Sequence, residues 1–231
     1  MNTTFSCKDF FSLENFAHKE LFERAKYVWE VLIEIDSYLA SFSARKIDID
    51  IPSFVHLENR EQISIGEGTV IEPGVYIQGP CIIGKNCHLR QGAYIREGVI
   101  CGNECVIGHG TEVKSSLLLN GVKAAHFAYV GNSLLGNDVN LGAGAVLANL
   151  RLDRKEIFIR NFERKISTSL TKLGAILADY VQIGCNSTLN PGTIIGKNSL
   201  TYPGLTLFGV YPQDSIVKRK EEIMILKQAN T

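Results

Sequence analysis

From Ile65, every sixth residue is apolar: Ile65, Ile71, Ile77, Ile83, Leu89, Ile95, Cys101, Ile107, Val113 and Leu119. Glycine follows at Gly66, Gly84, Gly102 and Gly108. The beat returns at Leu177, Ile183, Leu189 and Ile195, with Gly184 and Gly196 behind it. A helix repeats near 3.6 residues and a half-buried strand at 2, so neither explains a period of six. The period predicts stacked coils of short strands, each turning one large aliphatic residue inward. The slot two residues earlier holds Thr69, Val75, Cys81, Cys87, Ala93, Val99, Cys105 and Thr111. The cysteines of these slots read as small buried hydrophobes.

In Lys123–Asn132, "KAAHFAYVGN", the beat slips. Ala125 reads as the inward residue, and the next aliphatic–glycine pair, Val130-Gly131, comes five residues later instead of six. His126 then projects outward at an irregular coil, either as a solvated surface histidine or as part of a site.

The solenoid is expected over residues 51–211. Residues 1–50 precede it, with Leu21, Phe22, Ala25, Val28, Trp29, Leu32 and Ile33 at helical spacing. This predicts one N-terminal α-helix across Leu21–Ala40. Residues 212–231 are read as a C-terminal tail. The beat is absent over about 156–172, where "EIFIRNFERKISTSLTK" predicts a hairpin-like arm leaving the stack. With 24 basic and 24 acidic residues, the chain has no global attraction for nucleic acid or an anionic membrane. No apolar run nears the roughly 20 residues of a bilayer span, and "MNTTFSCKDF" lacks a signal-peptide pattern. A cytoplasmic protein is therefore expected.

The beat resembles the hexapeptide-repeat acyltransferases, which implies a left-handed parallel β-helix. The general rule for parallel crossovers would have predicted the opposite hand. "HFAYVGN…LGNDVNLGAGAVLANLRLDRK" is similar to the acetyltransferase domain of the bifunctional glucosamine-1-phosphate acetyltransferase and N-acetylglucosamine-1-phosphate uridylyltransferase family. "KLGAILADYVQIGCNSTLNPGTIIGKNS" resembles the archaeal-type sugar-1-phosphate nucleotidylyltransferases that carry this domain. The resemblance implies an acetyl-CoA-dependent N-acetyltransferase in UDP-GlcNAc biosynthesis, acting as a homotrimer without a metal. Its roles fall on His126 as general base, with Arg90 and Lys114 on the sugar phosphate. Tyr129 and Asn140 would hold the sugar, and Ala143 would offer its backbone N–H to the thioester oxygen. Asn149 would orient the histidine or amine, with Lys155 after it. Cys185, Pro203, Arg219 and Lys220 would lie along CoA.

The residue types suit the chemistry. A base near pH 7 must take a proton from the amine. A fixed N–H stabilises the oxyanion, and a fork and a point charge grip phosphate. Taken singly, the same charges also read as solvated coil residues. Leu150 and Arg151 depart from the bacterial pattern and leave the sugar open. Nothing resembles the glycine-rich loop of a nucleotidyltransferase, so uridylyl transfer is not expected of this chain. Other readings are a catalytically silent scaffold or regulatory subunit for a separate sugar-nucleotidyltransferase, an acyltransferase of other chain length or acceptor, and a trimeric zinc hydratase using His88, His109 and His126.

Overall fold

A computed structural model describes residues 5–160 and 165–219. It is a left-handed parallel β-helix built from three eight-stranded parallel sheets. In chain order the first face runs from Ile63–Ile65 to Val210–Tyr211. The second runs from Val70–Ile71 to Ile216–Val217, and the third from His56–Glu58 to Thr206–Leu207. The coils therefore continue past Tyr211, where the hexad beat was expected to stop.

Inward residues stack in register. Ile65 stands on Ile83 and Ile83 on Cys101, 18 residues per coil. Cys101 then stands on Leu118, and Leu118 on Leu135, so two coils are one residue short. This relocates the slip. The inward residues are Leu118 and Ala124, not Leu119 and Ala125. The missing residue is lost at the corner between the third and first faces. Arg96-Glu97-Gly98 spans that corner in one coil, and Lys114-Ser115 alone spans it in the next. Ser115 takes φ +44° to close the shorter turn, and Asn132 repeats this at +45°. Cys81, Cys87, Cys101 and Cys105 are all buried in the coil core. Burial pushes the Cys81 thiol up to about 12.

The first face carries a second core. Ile82, Ile100, Leu117, Leu134, Ile176 and Ile194 point outward from the coils, yet they are buried beneath Phe10, Phe11, Trp29, Ile35 and Leu39. Burying each such side chain stabilises by about 1.5–3 kcal/mol. Buried Asp179 fastens the layer. It accepts from the Ser12 and Asn137 backbone N–H groups, both at 2.8 Å, and pairs with Lys197 at 3.6 Å.

The expected single helix is broken. Short 3₁₀ turns at Lys19–Phe22 and Val28–Glu30 precede one α-helix, Val31–Ser41. The Glu30 carboxylate accepts from the Lys26 and Tyr27 N–H groups, while the Val28 N–H donates to Phe5 O at 2.8 Å. Those amides cannot also continue a helix. The arm is an antiparallel hairpin of Phe158–Arg160 and Lys165–Ser167, and its turn lies outside the described residues. It does not leave the stack. Ile157 and Ile159 are buried in the first-face layer, so the hairpin lies against the coils. It branches from the same third-to-first corner that the short coils tighten. Among the described residues, no helix is long and apolar enough to cross a membrane.

Candidate active site

The second and third faces meet at a corner whose residues form a column. The Phe127 N–H donates to His109 O, Gly144 N–H to His126 O, Asn186 N–H to Ala143 O, and Gly204 N–H to Cys185 O. His109, His126, Ala143, Cys185 and Pro203 thus stack one per coil, about 4.8 Å apart. Arg219 continues the column. It lies two residues past Val217, which pairs with Thr201, as Pro203 lies two past Thr201. Lys220 falls outside the described residues. His126 is exposed, as is Cys185. The Ala143 N–H has no acceptor among the described residues.

The third face supplies the rest. Tyr129 lies three residues past His126, over Glu112, and Gly131 lies over Lys114. Gly131 leaves room for these side chains, because a Cβ there would fall 2.7 Å from the Tyr129 hydroxyl and 2.8 Å from Asn149 Nδ2 and would displace them. Asn149 Nδ2 donates to Asn132 Oδ1 at 2.6 Å, and Asn149 Oδ1 stands 3.5 Å from the Tyr129 hydroxyl. Burial and nearby Glu112 push the Tyr129 phenol up. Asn149 therefore lies over Asn132 at the far end of the face, away from the His126 corner, and the Tyr129 hydroxyl reaches toward it from the near end.

Arg90 does not share a face end with Lys114. It sits at the His126 corner two coils lower, next to Gln91, whose carbonyl meets His109 Nδ1. The arginine directly beneath Lys114 is Arg96, since Ile95 pairs with Val113. Arg96 Nη1 bonds Glu112 Oε1 at 3.0 Å, and its guanidinium lies 5.8 Å over the Tyr94 ring. That bond to Glu112 raises the Arg96 pKa, while Lys114 has no ion-pair partner among the described residues. Sequence reasoning missed both Arg96 and Glu112. The available signal was the coil length, because Arg96 precedes Lys114 by one whole coil of 18 residues.

Asn140 lies around the corner on the second face, between Lys123 and Gln182. Lys155 is exposed, and its N–H reaches Asp153 Oδ1 at 3.3 Å. Arg151 is engaged by the same carboxylate at 2.8 and 2.7 Å, which holds the Asp153 acid well below its usual range. Among the described residues, no group of three or more histidine, cysteine or acidic side chains is placed to hold a metal ion.

The profile of the GMPPB C-terminal domain matches residues 77–203, more than half the chain. The chain belongs to the GMPPB C-terminal domain family. It is 44% identical over 93 residues, 40% of its length, to a bifunctional sugar-1-phosphate nucleotidylyltransferase/acetyltransferase of Sulfurisphaera tokodaii, of which it covers 23%. It is 38% identical over 120 residues, 52% of its length, to the bifunctional protein GlmU of Methanococcus maripaludis, of which it covers 29%. The chain thus spans less than a third of each of these curated relatives. Among solved structures it is similar in fold to Francisella novicida UDP-N-acetylglucosamine acyltransferase. There the TM-score is 0.54 and identity 16%, covering 74% of this chain and 64% of that one.

Proposed function

We propose that this chain transfers an acyl group, acetyl from acetyl-CoA, to the amine of glucosamine 1-phosphate or a related amino-sugar phosphate. The observation that carries this is the column at one corner. His126 is exposed there, and the Ala143 N–H (without an acceptor among the described residues), Cys185, Pro203 and Arg219 rise above it coil by coil. Cationic Lys114 and Arg96 stand at the far edge of the adjoining face. His126 takes the proton from the acceptor amine, whose nitrogen then attacks the thioester carbonyl. The Ala143 N–H faces the oxygen that becomes negative, an interaction whose loss typically costs about 10²–10³ in rate. His126 then returns its proton to the leaving sulfur. Lys114 and Arg96 hold the phosphate, and Glu112 and Tyr129 flank the sugar.

Asn140 lies on the second face and Tyr129 on the third, so both contact one sugar only where two chains meet. The proposal therefore includes a homotrimer. The second face carries exposed Val70, Leu200 and Ile216, which suits burial against a neighbour. The deciding experiment incubates the protein with acetyl-CoA and a panel of amino-sugar phosphates and weighs the products. An N-acetylated product from the wild type, formed about 10²–10⁴-fold more slowly with His126→Ala in a protein of unchanged mass in sedimentation, is the expected result. Unchanged turnover in that variant would remove His126 as the base.

A further inference from the structure

At the His126 corner, the residue after the column takes a left-handed backbone in coil after coil. It is Gly74 (φ +75°), Gly92 (+72°), Gly110 (+61°), Gly144 (+74°) and Gly204 (+70°), with Asn186 (+54°) as the small polar exception. In the one coil that holds His126 it is Phe127, at φ +49°. A bulky side chain in this region is sterically disfavoured, because its Cβ crowds the following carbonyl. Burial does not compensate, since 60% of Phe127 remains exposed. The ring nevertheless packs on the coil below. It lies edge-on to His109, centroids 4.9 Å apart at 78°, and His109 Nδ1 is held by the Gln91 carbonyl at 2.9 Å. It also covers Gly110 so closely that a Cβ there would fall 2.9 Å from its Cδ1. A strained, exposed aromatic packed on His109 beside a candidate base points to function rather than to packing.

Resting on the acyl-transfer reading above, we infer that Phe127 is the platform for the acceptor sugar, stacking against the apolar face of its pyranose ring. The placement suits this role and not contact with the acyl donor. The donor column rises from His126 toward Ala143 and Cys185, whereas the Phe127 ring leans the other way, over Gly110 and against His109. It lies between His126 and Tyr129, on the way to Lys114. A pyranose presents carbon-bound hydrogens on its flat face, which suit the negative face of an aromatic ring. A sugar lying there points its amine at His126 and its phosphate toward Lys114 and Arg96.

The test compares Phe127→Gly, Phe127→Leu and Phe127→Tyr with the wild type. It measures Tm, sedimentation mass, KM for glucosamine 1-phosphate and for acetyl-CoA, and calorimetric glucosamine 1-phosphate binding without acetyl-CoA. Phe127→Gly is expected to raise acceptor KM and Kd about five- to tenfold, the scale of one aromatic stacking contact. It should leave acetyl-CoA KM unchanged and melt at or above the wild-type temperature, because the left-handed strain is relieved. Phe127→Leu should show the same KM loss with its strain retained, and Phe127→Tyr should restore KM. Unchanged acceptor KM in Phe127→Gly overturns the inference, as does a shift confined to acetyl-CoA KM or a dissociated assembly. If the wild type transfers no acetyl group, the acyl-transfer reading fails, and the calorimetric comparison still decides whether Phe127 holds the sugar. Absence of sugar-phosphate binding by the wild type sinks both.

Discussion

Gly108 sets how closely the His126 corner can stack, and replacing it tests that directly. The strands Val106–His109 and Lys123–His126 are four residues long, and His126 is paired with His109. This places the Ala125 backbone directly over Gly108. A Cβ there would fall 2.5 Å from the Ala125 Cα and closer still to its carbonyl carbon and oxygen. Backbone cannot swing aside as a side chain can, so Gly108→Ala must lift the corner by about 1 Å. A displacement of that size at a catalytic group costs on the order of 10²-fold in rate. Overpacking of this kind costs about 1–3 kcal/mol, which lowers Tm by about 2–12 °C for a domain of this size. The control is Gly66→Ala, whose Cβ would meet Gly84 and Lys85 backbone at 2.7 Å, far below the site. The assay is kcat with acetyl-CoA and glucosamine 1-phosphate, beside thermal unfolding of both variants. The expected pattern is a Tm loss in both and a kcat loss in Gly108→Ala alone. Wild-type kcat and Tm in Gly108→Ala would refute the argument that the corner has no room. An equal kcat loss in both variants would show a global effect instead.

His126→Ala should lower kcat by about 10²–10⁴ with circular dichroism unchanged, because the side chain is exposed and carries no core packing. Lys114→Met and Arg96→Met should raise acceptor KM and weaken inhibition by inorganic phosphate. Arg90→Met, at the other corner, should not; a larger effect at Arg90 would reverse the placement of the phosphate. Native alkylation with iodoacetamide, followed by mass analysis, should label Cys185 alone. The other five cysteines are buried, and burial pushes the Cys7 thiol up to about 11, so its reactive thiolate is scarce at neutral pH. CoA should protect Cys185, and labelling that CoA leaves untouched would remove it from the donor column. Ile107→Ala, fully buried in the coil core, should destabilise by about 2–5 kcal/mol with a matching fall in Tm on unfolding.

The hexad beat made the inward residues of the early coils legible, and nine of the first ten lie in the core. The tenth failed for a physical reason. In "SSLLLN" three successive leucines are all apolar, since Leu117 and Leu119 pack into the layer on the first face while Leu118 fills the coil. A face buried on both sides erases the alternation that would mark the inward residue. The slip was therefore read at Ala125, one turn after the corner that causes it. The place of the two arginines depends on the same register. Arg90 and Arg96 are both near in sequence, and only the register shows which one stands beneath Lys114.

The sequence alone determined the period, and with it the stacked coils, the buried cysteines and the outward histidine. A six-residue repeat of apolar residues leaves few other ways to bury them. Only the tertiary structure decided which residues share a corner. Coil length is set by turns that vary by one or two residues, and each lost residue moves every later side chain onto a different column. The column from His126 to Arg219, the cations on the adjoining face, and the strained Phe127 between them all depend on that accumulated register.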